Sequence, residues 1–194
     1  MSMSEQQLVD CDYRDYACDG GFPAQAWRYV NQAGGIESEE NYPYVGKRET
    51  CQFDVDNSTA NVAECVGSYS SVKFDPFCEF SNVRRDEDSL ILALNDRPQT
   101  VVIDAGKMQH YGGGVYGNTP YTPCGNNEVD MNHAVFAVGY EIQPWDEHKP
   151  FYIIKNSWGV DWGIDGYLRL ALGDNNTCGV ANYPGFAIAG NLQF

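Results

Sequence analysis

An α+β fold, with helices early and strands late, is predicted by three features of this 194-residue chain. Helix start and stop signals crowd its first part. Runs of β-branched and aromatic residues, separated by turn residues, fill its second half. No internal repeat or low-complexity tract points to a solenoid or fibrous architecture. Hydrophobic residues make up 43% and charged residues 20%, enough apolar content for a packed core and too much for a disordered chain.

The elements follow in order. "SEQQLVDC" offers Ser4 as N-cap with Gln7 three residues on, a capping-box pattern. "FPAQAWRYVNQAGG" puts Pro23 at a helix start, spaces Trp27 and Val30 on one face and stops at Gly34-Gly35. Between them "CDGGF" holds a glycine pair where another backbone can approach closely. From Asn41 to about Pro76 the composition is loop-like. "DEDSLILALND" reads as a short helix with acids in its first turn. "QTVVIDA", "HAVFAVGY", "FYIIKNSW" and "GYLRLAL" read as strands.

A net charge of −15 makes the surface repel phosphate backbones, so nucleic acid is not an expected partner. No apolar run reaches the length of a membrane-crossing helix, and no membrane partner is expected. Seven cysteines without a Cys-x-x-Cys pair favour disulfides in an oxidising compartment over zinc. Seven is odd, so one thiol lacks a partner within the chain. "MSMSEQQ" is too polar for a secretory leader, and with the odd cysteine it creates the expectation of residues further upstream. No Gly-x-Ser-x-Gly elbow occurs, and His110, His133 and His148 lack metalloprotease spacing. "DVDNSTANVAEC" starts like a calcium loop at Asp54 and Asp56 but lacks its glycine and its final acid. No cofactor or metal is expected. Asn57 and Asn175 head glycosylation sequons.

The chemistry concentrates on "NHAVFAVGY" and "YIIKNSWG". A histidine at a strand start is more often a core residue than a catalyst. Its imidazole becomes useful when one ring nitrogen is fixed by a partner and the other is left to a nucleophile. Asn156 can fix it without adding a buried charge, and Trp158 can exclude water from the pair.

Together "SEQQLVDCDYRDYACDGGFP", "ENYPYVG", "NHAVFAVGY", "KNSWGVDWGIDGYLRL" and "CGVANYPGFAI" resemble the papain family of cysteine proteases, near its cathepsin L-like branch. The resemblance runs from about Ser4 to the C-terminus, with insertions around 54–85, 118–128 and 142–149. It implies a papain-like two-domain fold: the remainder of a helical left domain over 1–75 and a β-barrel-like right domain over 76–194. It implies that His133 is the catalytic histidine and Asn156 its orienting partner, with Trp158 and Trp162 shielding them. Gly20 and Gly21 match the glycines that pair with an extended peptide, a strand-addition mode. Phe22, Pro23, Val102, Met131, Ala134 and Tyr183 match the main specificity pocket, which implies a bulky hydrophobic or aromatic preference. The Asn132 carbonyl matches a contact to the substrate backbone. Disulfides Cys11–Cys51 and Cys124–Cys178 are implied, Cys65–Cys78 falls in an insertion, and Cys18 is left unpaired.

The family's nucleophile lies in Cys-Gly-[Ser/Ala]-Cys-[Trp/Tyr], some 130–150 residues before the His and Asn. Counting back from His133 and Asn156 leads to or beyond the start of this sequence, and Cys11 sits in a structural motif instead. The expectation is therefore an endopeptidase whose thiolate is encoded upstream, with this stretch alone inactive and its helical half partly molten, exposing Leu8, Trp27 and Val30. The competing expectations are a papain-fold protein that binds peptides or inhibitors without cutting them, and a two-chain enzyme. Implied partners are a peptide or protein substrate, cystatin-like inhibitors or a pro-segment. The implied setting is lysosomal or extracellular.

Overall fold

A computed structural model describes residues 2–67, 78–80, 86–117, 119–143 and 149–190, with only the backbone of 66, 67 and 78–80. These form two compact units: one holds 2–66, 78–79 and 187–190, the other 67, 80 and 86–186. The fold is α+β.

In the first unit, helix α1 spans Glu5–Cys11. Ser4 caps it, its hydroxyl oxygen accepting from the Gln7 N–H at 3.0 Å while donating to the Tyr42 carbonyl at 2.6 Å. The expected reciprocal capping box does not form. Gln7 is fully buried, and its side chain is used across the unit. Its Nε2 donates to the Gly35 carbonyl and to the Tyr29 hydroxyl, both at 3.1 Å, and its Oε1 accepts from the Glu37 N–H at 2.8 Å. Buried loop backbone that needs partners outcompetes a local cap.

Helix α2 spans Pro23–Ala33, with Pro23 in its first turn, where a missing N–H costs nothing. It ends on Gly34 at φ 91°, the left-handed cap that glycine adopts without a Cβ penalty. Val30 is only 4% exposed, with Ala24, Ile36, Tyr42 and Cys11 also buried in this unit; Leu8 and Trp27 are half-buried. The expectation that Val30 would be exposed is thus overturned. Asn31 ties the C-terminal turn of α2 by donating to the Val62 carbonyl at 2.8 Å. The stretch read as loop contains strand β1, Val62–Gly67, whose neighbour is β2, Cys78–Phe80. Its sequence, VAECVG, alternates too weakly to declare itself.

In the second unit, α3 spans Glu87–Asp96 and is capped by Asp86, whose carboxylate accepts from the Ser89 N–H at 2.8 Å. The strands are β3 (Gln99–Ile103), β4 (Val115–Tyr116), β5 (His133–Glu141), β6 (Phe151–Lys155), β7 (Tyr167–Ala171) and β8 (Gly185–Ala189), of which only Gly185 and Phe186 belong to this unit. Their order is β8-β3-β5-β6-β7-β4, antiparallel except for the parallel β4–β7 pair. Among the described residues this sheet is open and does not close into a barrel. Leu90 and Leu94 of α3 join Val101, Ile103, Val135, Ala137, Ile154, Leu168 and Leu170 in one core. Those strand positions alternate, so the opposite face of β5 is left to Ala134 and Phe136.

Replacing Gln7 by Ala strands three polar groups of the first unit. The expected loss is about 2–4 kcal/mol of stability, measured by urea unfolding with Trp27 fluorescence.

Candidate active site

Two adjacent strands bring the central pair together. β5 begins at His133 and β6 ends at Lys155, and their antiparallel register places Phe136 opposite Lys155. The start of one strand and the residue just past the end of the other therefore lie at the same edge. There, His133 Nε2 meets Asn156 Oδ1 at 2.8 Å. The same oxygen accepts from the Ser157 N–H at 2.8 Å, and the Asn156 N–H donates to the Gly166 carbonyl at 3.1 Å. An amide oxygen only accepts, so the hydrogen of the shared bond sits on Nε2. That leaves Nδ1 as the nitrogen at which the ring can take up or release a proton.

Aromatic rings back the imidazole. Trp158 stacks on it with centroids 4.9 Å apart and planes 28° apart, and Trp162 meets Trp158 edge-on at 5.0 Å. Trp162 is held by its own Nε1–H, donated to the Met108 carbonyl at 3.2 Å, and by Tyr111 at 5.5 Å. The half-buried pair is thus covered on one side by a braced indole that limits competition from water.

The residue before the histidine is clamped as well, by groups that the sequence did not single out. Asn132 donates its backbone N–H to the Ile103 carbonyl at 3.1 Å. Its side chain accepts from the Ala105 N–H and donates to Asp104 Oδ1, both at 2.9 Å. Asp104 also accepts from the Gly106 N–H at 3.0 Å and the Gly125 N–H at 2.7 Å. Burial pushes the Asp104 carboxyl up. The N–H groups of Gly125 and Gly106, Asn132 and the charge of Lys107 outweigh it and hold the carboxyl below its ordinary value of 3.8. The readable signal was an Asp-Ala-Gly turn directly after a strand, which invites an Asx-type bond.

Of the pocket candidates in this unit, Val102 stands opposite Ala134 across β3 and β5. Ala134 is exposed, and Val102, Met131 and Tyr183 are half-buried. Met131 packs so closely on Gly179 that a Cβ there would collide with its thioether. In the first unit, Gly20 (φ 109°) and Gly21 are exposed, as is Phe22, while Pro23 is half-buried. The Gly20 carbonyl accepts from the Tyr16 N–H at 2.9 Å. The Gly21 N–H and C=O have no hydrogen-bond partner among the described residues.

Disulfides join Cys11 to Cys51 and Cys124 to Cys178. Cys65 is disulfide-bonded, and the Cys78 side chain lies outside the described residues. Cys18 is a free, exposed thiol. Asn57 and Asn175 are exposed, although Thr177 of the second sequon is buried.

The chain matches the model of the papain family cysteine proteases over residues 1–188. It is a member of that family. It is 41% identical over 191 residues to cysteine proteinase 3 of Solanum lycopersicum, covering 97% of this chain and 48% of the tomato protein. It is 40% identical over 189 residues to cathepsin K of Mus musculus, covering 96% of this chain and 51% of that protein. The chain thus spans about half the length of the curated relatives it matches. Among solved structures, digestive procathepsin L2 from Tenebrio molitor matches with a TM-score of 0.81 at 34% identity, over 96% of this chain and 53% of that one. Bromelain from Ananas comosus, in complex with the E64 inhibitor, matches at 0.76 and 31%, over 96% and 77%. The fold is papain-like.

The depressed Asp104 carboxyl stabilises the folded state above 3.8, and that contribution disappears as pH falls through the lower folded value. In thermal melts, Asp104→Asn should therefore be less stable than the parent at pH 7 and at pH 5. The gap should close toward pH 2.

Proposed function

We propose that this sequence is the histidine- and asparagine-bearing part of a cysteine endopeptidase, completed by a thiolate encoded upstream. The observation that carries the reading is the 2.8 Å His133–Asn156 bond under Trp158, which leaves Nδ1 free for a sulfur. Family membership supplies the reaction. The thiolate attacks the peptide carbonyl carbon, forming a C–S bond and a tetrahedral oxyanion. His133 delivers a proton from Nδ1 to the departing amine as the C–N bond breaks. A water, deprotonated by the same nitrogen, then hydrolyses the acyl-enzyme. Asn156 keeps the ring aligned through both proton transfers.

On this reading the unpaired backbone of Gly21 takes an extended peptide by strand addition. Phe22, Pro23, Val102, Met131, Ala134 and Tyr183 select a bulky apolar side chain, and the Asn132 carbonyl meets the substrate backbone. The expected division between 75 and 76 lies outside the described residues. Within this sequence Cys11 is locked in a disulfide, and an imidazole with an amide cannot replace a thiolate, so the stretch by itself is inactive. The pro-forms and the inhibitor complex among the similar structures support a pro-segment and an inhibitor as partners. The cathepsins among the relatives support a lysosomal or extracellular setting.

The test is expression of this sequence joined to the coding region that precedes it, followed by labelling with a peptidyl epoxide. One adduct on an upstream cysteine is expected. His133→Ala should lower kcat/KM by about 10²–10⁴-fold, and Asn156→Ala by about tenfold, the worth of one aligned hydrogen bond. An adduct on Cys18, or peptide cleavage that survives His133→Ala, would overturn the assignment.

A further inference from the structure

The indole over the imidazole is too open to hold itself. Trp158 is 37% exposed, and its place over His133 depends on the edge-on contact with Trp162. Trp162 is gripped in turn by the segment from Met108 to Tyr111. The Met108 carbonyl accepts twice, from the Trp162 Nε1–H at 3.2 Å and from the Tyr111 N–H at 3.0 Å. The Tyr111 ring lies 5.5 Å from Trp162. It also lies against the backbone beside that indole: a Cβ at Gly163, where φ is 64°, would stand 3.3 Å from the Tyr111 ring.

A turn that grips must itself be fixed. Gly112, Gly113 and Gly114 follow Tyr111, all exposed. A Cβ at any of them would meet nothing within 4 Å, so no packing holds this run. The Tyr111 hydroxyl holds it instead. It donates to the Gly114 carbonyl at 2.6 Å, closing the run, and accepts from the Arg169 N–H at 3.2 Å. Arg169 belongs to β7, which pairs with β6, the strand that ends beside Asn156. Tyr111 is 8% exposed. Burial pushes its phenol above the ordinary value of 10.0, against the Arg169 N–H and charge, so the hydroxyl keeps the hydrogen it donates. Tyr116 makes the contrast. Its ring meets Tyr111 edge-on at 6.0 Å, but its hydroxyl is buried with no hydrogen-bond partner.

The consequence reaches the imidazole. A ring tethered only through Nε2 can swing about that bond and carry Nδ1 away from a reactant. A fixed indole face against the ring removes that freedom. We propose that Tyr111 is a positioning residue for His133: its hydroxyl ties the turn that grips Trp162, and the Trp162–Trp158 stack passes the constraint to the imidazole. The proposal rests on the reading of His133 as the catalytic histidine.

The test follows the His133 ring protons of the chain by NMR. They are read on the basic plateau of their titration, so that a change of protonation cannot imitate a change of geometry. An indole stacked on the ring displaces those protons upfield. The displacement should shrink in Tyr111→Phe, which keeps the ring and loses both hydroxyl bonds, and shrink further in Tyr111→Leu. Tyr116→Phe, which loses only an unpartnered hydroxyl, should keep it. A merely structural role would lower the melting temperature of the Tyr111 variants and leave the displacement in their folded state unchanged. In the chain joined to its upstream coding region, Tyr111→Phe should lower kcat about fivefold at unchanged KM, the scale of one hydrogen bond. Tyr116→Phe should leave both parameters at the parent values. If Tyr111→Leu fails to fold, Tyr111→Phe alone decides. A parent without the displacement, a displacement indifferent to Tyr111, or one lost equally in Tyr116→Phe overturns the proposal. If the displacement follows Tyr111 but the joined protein cuts no peptide, the protease reading falls alone, and Tyr111 still positions the ring. If the joined protein cuts peptide with the same kcat in parent and Tyr111→Phe, the positioning role falls alone.

Discussion

The site depends on one hydrogen bond between neighbouring strand ends, from His133 Nε2 to Asn156 Oδ1. Its length is set by the register of β5 against β6, a property of the whole sheet. A one-residue slip would turn His133 to the other face and carry Ala134 into the core. Val135, Ala137 and Ile154, all buried, are therefore what fix the distance. Apolar packing supplies the rigidity, and the polar pair inherits it at the sheet's edge, where one side stays open to a reactant.

Much of this could be read from the sequence, and the rest could not for identifiable reasons. The alternation in HAVFAVGY and FYIIK gave both strands and the placement of His133 and Asn156 at their ends. Pro23 and Gly34 marked both ends of α2 because each acts through its own backbone geometry. β4 is two residues long and β1 weakly patterned, so neither carries enough period to be seen. The Asn132–Asp104–Ala105 clamp joins positions 27 and 28 residues apart, a distance over which polar residues leave no local pattern. Gln7 shows the opposite failure. Its spacing from Ser4 fitted a local motif, but the side chain served Gly35, Tyr29 and Glu37.

Acidic side chains do two kinds of work here, and the bulk figure of −15 conceals the difference. Several brace loops from inside. Asp10 accepts from the Glu49 N–H at 2.6 Å and the Tyr42 hydroxyl at 2.9 Å. Glu87 accepts from the N–H groups of Gly173 and Asn176, both at 3.0 Å. Burial pushes the Asp10 carboxyl up, but hydrogen bonds from Glu49, Tyr42 and Gln6, with Arg48 nearby, bring it below the ordinary value, as at Asp104. Asp10 and Asp104 therefore hold their charge further into acid than an ordinary carboxyl and keep their loops in place.

Asp15 lacks that supply of N–H donors, and burial leaves its carboxyl above the ordinary value although the Phe22 N–H opposes this. Asp104 takes three donors on two oxygens, whereas among the described residues Asp15 takes one, from Phe22. A carboxylate rich in donors resists protonation; a half-buried one poor in donors takes up a proton more readily. As pH falls, the brace beside His133 therefore keeps its charge longer than Asp15 does. The count of N–H groups around each carboxyl, more than the net charge of the chain, sets the order in which these carboxyls take up protons.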